Sequence, residues 1–238
     1  MQMNIIYNEN CLETMKRMPE NFIDLTITSP PYDDLRKEKY EGVSEKDWKK
    51  IIKELYRVTK DGGVVVWVVA DAIINDSETG TFFKQALYAI DVGFNLHDTM
   101  FYKKNSPAYP VSKTGNRYNQ LIEYMFIWSK GKPKTANLIC DRKNLYPKRF
   151  PNTTEKGPRF NVWEYTTSKN VKTGHPAVFP EELVQDHIRT WSTKGDLIYD
   201  PFMGSGTTAR VAKVLDRNYI GSEISKEFFD KMVIDNFN

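Results

Sequence analysis

At 238 residues, with 40% hydrophobic and 27% charged side chains, the chain suits one α/β domain with room for a modest insertion. No apolar run approaches the roughly 18 residues of a membrane span, the start MQMNIIYNEN carries no leader pattern, and Cys11 and Cys140 have neither metal-site spacing nor a disulfide framework; a reducing, cytoplasmic setting without a bound metal is expected. Net charge is only +3, yet residues 103–172 hold fifteen Lys/Arg against four acids, an excess of eleven that leaves the remainder eight negative, and such asymmetry points to a polyanionic partner for the middle of the chain.

In chain order, a strand over 3–7 precedes a second over 22–28, which breaks off at Ser29-Pro30-Pro31-Tyr32. Two successive prolines fix the backbone and donate no hydrogen bond. Each also holds its predecessor extended, so the corner presents one hydroxyl and one ring rigidly. The polar stretch 33–42 has no clear period and could close over a ligand. Ser44 caps a helix, with Asp47 three residues on and a stripe of Trp48, Ile51, Ile52 and Leu55. The run GVVVWVVA over 63–70 is apolar on both faces, like a central strand covered by helices. A helix over 81–91 stops at Gly93, and strands follow over 94–102 and 121–128. Residues 131–172 contain Pro133, Pro147, Pro151 and Pro158 without sustained periodicity, which in a compact domain usually marks a functional segment. Pro180 opens a helix with Leu183, Val184, Ile188 and Trp191 inward. Strand 196–199, helix 206–215, strand 218–222 and helix 225–235 complete an alternation that implies a mostly parallel sheet.

The strand over 196–199 leads into Asp200-Pro201-Phe202-Met203-Gly204-Ser205-Gly206-Thr207-Thr208. Gly204 and Gly206 permit a tight turn and close approach of a ligand. A phosphate cradle would carry a lysine after its glycines; Thr207 and Thr208 stand there instead. That favours a less anionic ligand, and Asp200 could hold a cationic group of it. Glu223 ends the next strand, where doubly wound folds bind ribose hydroxyls.

TSPPY and DPFMGSGTT together resemble the catalytic [DNS]-P-P-[YFW] and cofactor-binding F-x-G-x-G motifs of the DNA amino-methyltransferases, which methylate an exocyclic base nitrogen with S-adenosylmethionine. Residues 56–63, 123–130 and 175–183 resemble further family segments, and only 131–172 lies outside the likeness. The motif order, catalytic corner first, resembles the family's beta group. It implies a circularly permuted Rossmann-like fold: a mostly parallel seven-stranded sheet in the order 3-2-1-4-5-7-6, one strand antiparallel, helices on both faces. Within it, 1–130 would be the catalytic half, 131–172 a basic insertion serving target recognition, and 173–238 the cofactor-binding half.

The resemblance also implies roles. Ser29 Oγ and the Pro30 carbonyl would accept the amino N–H groups, Pro31 would stiffen the corner, and Tyr32 would stack on a base flipped from the duplex. Asn10, in a place where the family usually has Asp, and Cys11 would lie by the cofactor's adenine. Phe179 and Pro180 would join Asp200, Pro201, Phe202, Gly204, Ser205, Gly206, Thr207 and Thr208 around the cofactor, with Glu223 on its ribose; a plain core role for Phe179 is an equal alternative. His175 reads as a turn residue, and His97 and His187 as structural. Methylation at carbon 5 of cytosine would need a thiolate in a Pro-Cys pair, which neither Cys11 nor Cys140 provides. Serine in first position favours N4 of cytosine over N6 of adenine. An RNA or protein-amide methyltransferase and a non-catalytic DNA-binding relative are the rival readings. Lys103, Lys104, Lys113, Arg117, Arg142, Lys143, Lys148, Arg149 and Arg159 would neutralise phosphates of double-stranded DNA, while Tyr109, Tyr118, Tyr146 and Phe150 either fill space near the extruded base or pack the insertion. A cognate restriction endonuclease and a homodimer are the further partners implied.

Overall fold

The computed structural model describes residues 1–31, 43–105, 116–118, 120–144, 155–166 and 179–237, with side chains to residue 234. Among them, eight strands form one sheet: β1 (Ile5–Tyr7), β2 (Ile23–Thr28), β3 (Thr59–Val69), β4 (Asn95–Lys104), β5 (Ile122–Ser129), β6 (Val162–Tyr165), β7 (Leu197–Asp200) and β8 (Asn218–Ser222). Their order is β1-β8-β7-β2-β3-β5-β4-β6. Only β5 runs antiparallel to its neighbours. The first seven strands of that order reproduce the implied 3-2-1-4-5-7-6. The eighth, β6, corrects the seven-stranded expectation: it comes from the supposedly irregular segment and pairs in parallel with β4, Val162 beside Phe101 and Tyr165 beside Lys104. A four-residue strand with Asn161 before it offers too short a period to be seen in sequence.

Among the described residues, six helices cover the sheet. On one face α1 (Cys11–Lys16), α2 (Glu45–Val58) and α3 (Thr81–Val92) enclose a core with Met15, Trp48, Leu55, Trp67, Phe126 and Trp128. On the other, α4 (Glu181–Trp191), α5 (Thr207–Val214) and α6 (Lys226–Phe237) enclose Leu25, Val66, Met125, Ile188, Ile198 and Ala212. β3 shows why its sequence is apolar throughout: Val64, Val66 and Val68 enter one core, and Val65, Trp67 and Val69 the other. Ser44 caps α2 by accepting from Asp47 N–H at 3.3 Å. Helix α1 is too short for a periodic signal, but Asn10 marks it by accepting from Leu12 N–H at 2.9 Å. Two short antiparallel ribbons stand off the sheet, Ile73–Ile74 with Ser77–Glu78 and Arg142–Lys143 with Lys156–Gly157. No helix among the described residues is long and apolar enough to cross a membrane.

Candidate active site

β2 and β7 are adjacent and parallel, Leu25 beside Ile198 and Thr26 beside Tyr199. The corners that follow them, one prolyl and one glycyl, therefore leave the sheet at the same edge, although 175 positions separate Ser29 from Gly204. The two are joined by one carboxylate. Asp200 Oδ1 accepts from Thr28 Oγ1 at 2.7 Å and from Phe202 N–H at 3.0 Å, and Oδ2 accepts from Thr208 Oγ1 at 2.7 Å. Asp200 is 2% exposed. Burial pushes its carboxyl up to about 6 against the pull of those three donors.

A second aspartate spans the same strand pair at its opposite end. Asp24 Oδ2 accepts from Leu197 N–H at 3.0 Å, and its carboxylate meets Lys60 and Lys134, each at 2.7 Å. Burial alone would raise this carboxyl; Leu197 N–H and the two ammonium groups outweigh it and hold the group below its usual range. Asp24 has two cations, whereas no cation among the described residues pairs with Asp200.

Ser29 and Pro31 are half-buried and Pro30 is buried. The two prolines wall a small cleft, with Val69 and Ala70 at the end of β3 and Phe82 and Gln85 of α3 on its other sides. Gln85 is fixed by accepting from Trp67 Nε1 at 2.9 Å. Tyr32 and the stretch 33–42 lie outside the described residues.

In the glycine corner, Gly204 and Gly206 have φ of 53° and 80°, the left-handed region where a side chain is strained. Gly204 N–H donates to Glu223 Oε2 at 2.9 Å, and Ser225 N–H to Oε1 at 2.8 Å. Burial raises the Glu223 carboxyl, and backbone donors at Ser225, Gly204 and Ile224 oppose that. Met203 lies on Gly221, where any Cβ would collide with it. Ser205 and Thr207 hydroxyls are 3.1 Å apart, and Pro201 is buried. Phe202 packs toward the α1–α3 core and Phe179 toward the α4–α6 core. Pro180 precedes α4 as its N-cap residue. Cys11, 5% exposed in α1, has its thiol pushed up to about 12, mainly by burial.

Two site residues had no sequence signal of their own. Thr28 is one polar position in a strand buried throughout, and its value depends on Asp200 lying opposite. Asn8 donates from Nδ2 to the Glu223 carbonyl at 2.8 Å, a contact across 215 positions. His187 is fully buried, lowered to about 3 by burial, with its ring 4.7 Å from that of Trp163. His97 meets Trp191 edge-on at 5.5 Å.

The basic residues divide. Lys103 pairs with Glu164 at 2.9 Å, Lys104 with Glu123, and Arg117 with Asp76 at 3.4 Å. Arg159 is an internal tie: its guanidinium meets Asp141 at 2.5 Å and Asp186 at 2.8 Å, and it donates to Tyr165 Oη at 3.3 Å. A charge count registers cations without their partners, and these acids arrive from α4 and from the insertion itself. Arg142 donates to the Pro158 carbonyl at 2.9 Å and lies over the Phe160 ring, whereas Lys143 is exposed. Lys113, Lys148, Arg149, Tyr109, Tyr146, Phe150 and His175 lie outside the described residues. Tyr118 is 97% exposed.

Residues 23–234 match a family model of N6/N4 type described as DNA methylase. The orphan methyltransferase M.BamHII of Bacillus amyloliquefaciens is 50% identical over 234 residues, 87% of this chain and 86% of that protein. The type II methyltransferase M.HpaI of Haemophilus parainfluenzae is 31% identical over 93% of this chain and 70% of its own length. Among solved structures, a PvuII DNA methyltransferase described as cytosine-N4-specific matches in fold with a TM-score of 0.78 at 23% identity, covering 98% of this chain and 86% of that one. The complex of M1.HpyAVI with SAM matches with a TM-score of 0.69 at 25% identity, covering 96% and 97%.

Proposed function

The chain belongs to the N6/N4 DNA methylase family, and from that premise we propose that it methylates the N4 amino group of cytosine in double-stranded DNA. That it is an S-adenosylmethionine-dependent DNA amino-methyltransferase follows from the family and its relatives. The observation that carries the site assignment is the Thr28–Asp200–Thr208 joint, which brings a rigid acceptor corner beside a glycine corner at the carboxyl ends of adjacent parallel strands. Ligands of open α/β sheets bind in such crevices.

The glycine corner fits the cofactor: its left-handed backbone would let a ligand approach closely, Glu223 would take ribose hydroxyls, and no cation among the described residues meets the buried Asp200 carboxylate. When bound, S-adenosylmethionine supplies an electrophilic methyl group on a sulfonium. The protein's part is positioning. Ser29 Oγ and the Pro30 carbonyl accept the two N–H groups of the target amine and draw its nitrogen toward tetrahedral geometry. Held by Pro30-Pro31, they need no reorganisation as charge develops. Tyr32 stacks on the extruded base. Cys11, buried and protonated at neutral pH, is no nucleophile, in keeping with amine rather than carbon methylation. Serine rather than aspartate at position 29 supports cytosine.

Lys143, Arg142, Lys113, Lys148 and Arg149 remain the proposed phosphate contacts, with 131–172 as the recognition region between halves 1–130 and 173–238. The setting is cytoplasmic and the assembly a homodimer; type II relatives such as M.HpaI support a cognate restriction endonuclease as a further partner, whereas the 50% identical M.BamHII is named an orphan. Labelled-methyl transfer to unmethylated genomic DNA, followed by nucleoside digestion, tests the reading. N4-methylcytosine is expected; N6-methyladenine overturns the base, and label entering only RNA or protein overturns the substrate.

A further inference from the structure

Gln85 stands on the second turn of α3 and is 6% exposed. Its place is fixed from both ends. Asp71, just past β3, accepts from Gly80 N–H at 2.7 Å and from Thr81 N–H at 3.3 Å, which ties the start of α3 to that strand end. Trp67 of β3, fully buried and stacked on Trp128 at 5.3 Å, donates from Nε1 to Gln85 Oε1 at 2.9 Å. An indole N–H can only donate, so it decides which end of the carboxamide turns toward it. The oxygen faces Trp67, and the amino group Nε2 presents its two N–H donors on the other side. No acceptor among the described residues meets Nε2. Gln85 lines the cleft whose walls include Pro30 and Pro31 of the catalytic corner. Serving Trp67 takes only an acceptor; two oriented donors in a nearly buried side chain call for a partner from outside the chain's own bonds.

We propose that Gln85 is a specificity-determining residue for the target base, donating from Nε2 to the ring nitrogen beside the carbon that bears the amine, which in cytosine is N3. The inference rests on the assignment of the amine to Ser29 Oγ and the Pro30 carbonyl. Cytosine and adenine both carry, on their Watson–Crick edge, an amino N–H next to a ring nitrogen lone pair. The Pro30 carbonyl and the Gln85 amino group supply the complement, an acceptor with a donor, and so replace the bonds that the base gives up on leaving the duplex. Thymine, uracil and guanine present the reverse, a carbonyl oxygen next to a ring N–H. They would set acceptor against acceptor and donor against donor, which rejects them. Because Trp67 holds the amide oxygen, Gln85 cannot turn over to suit them.

Methyl transfer by the full chain to a duplex with its target cytosine is compared with transfer to the same duplex carrying 3-deazacytosine, which keeps the amine and has C–H in place of N3. The native protein should lose about a hundredfold in kcat/KM on the analogue. Gln85→Glu keeps an acceptor for Trp67 and removes both donors. It should lose about a hundredfold on cytosine and no more on the analogue, since variant and analogue lack the same bond. Gln85→Met, which brings in no charge, should show the same pattern, and melting curves check that both variants fold. Variants that lose equally on both substrates make Gln85 a support for Trp67 alone and overturn the proposal, as does a native protein indifferent to the analogue. Should the product be N6-methyladenine, the cytosine reading fails by itself, and the same ratios measured with 1-deazaadenine decide the role of Gln85. Unchanged transfer by Ser29→Ala would instead overturn the corner assignment, and this inference with it.

Discussion

Replacing Asp200 with Asn removes a charge from the joint between the two corners and keeps its shape. The Asn carbonyl can still accept from Thr28 Oγ1 and Phe202 N–H, and the Thr208 hydroxyl can turn to accept from the new amide. In the folded protein the Asp200 carboxyl titrates near 6, against 3.8 for the unperturbed group. The folded state therefore holds a proton through a window in which the unfolded state has released it. Stability falls as pH rises from about 4 to about 6, and the full cost persists above, on the order of 3 kcal/mol for a shift of about two units. Asn cannot ionise. The variant without cofactor should gain up to about 3 kcal/mol at pH 8, roughly 6–12 °C in melting temperature for a domain of this size, and lose the pH dependence between 4 and 6.

Cofactor affinity should move the opposite way. The cation that Asp24 finds in Lys60 and Lys134 is, for Asp200, assigned to the methyl donor. The native protein should bind S-adenosylmethionine about tenfold more weakly for each pH unit below 6, as the carboxylate is protonated. Asp200→Asn should bind at least tenfold more weakly at pH 8 and show no such slope; Asp200→Ala, which leaves three buried donors unpaired, should abolish binding. Melting curves from pH 4.5 to 8.5 and calorimetric titrations measure both. A variant no more stable than the native chain at pH 8, with an unchanged pH profile, would refute the claim that this carboxylate is ionised at a cost.

Ser29→Ala should lower methyl transfer at least about a hundredfold while calorimetry finds cofactor affinity retained, because the hydroxyl is assigned to the base alone. Lys143→Ala should reduce the slope of log affinity against log salt by about one, whereas Arg159→Ala should leave the slope unchanged and cost about 1–3 kcal/mol of stability by removing the guanidinium that Asp141 and Asp186 share; binding isotherms at several salt concentrations separate them. Gly221→Ala should displace Met203 from beneath the glycine corner, costing about 1–3 kcal/mol and weakening cofactor binding in a calorimetric titration.

What could be seen in the sequence was whatever depends on residues close together along the chain. The two-sided apolar run of β3, the capped stripe of α2 and both corners are local patterns, and each stands where its pattern implied. Strand order was legible only through resemblance, because no period in β2 or β7 states that Thr26 will lie beside Tyr199. Partnership was not legible at all. Arg159 counts as a phosphate contact until Asp141 and Asp186 close on it, and nothing in the sequence states that Asp200, expected beside the cofactor, is buried on three donors. Two aspartates on the same strand pair make the point most sharply: Asp24 and Asp200 are one residue type, yet one is held below its usual range and the other raised to about 6. What separates them is the presence or absence of lysines brought from β3 and from beyond β5. Among the described residues no cation meets Asp200, which is held by three donors alone, and the proposed site gives that place to the charge of a sulfonium-bearing cofactor.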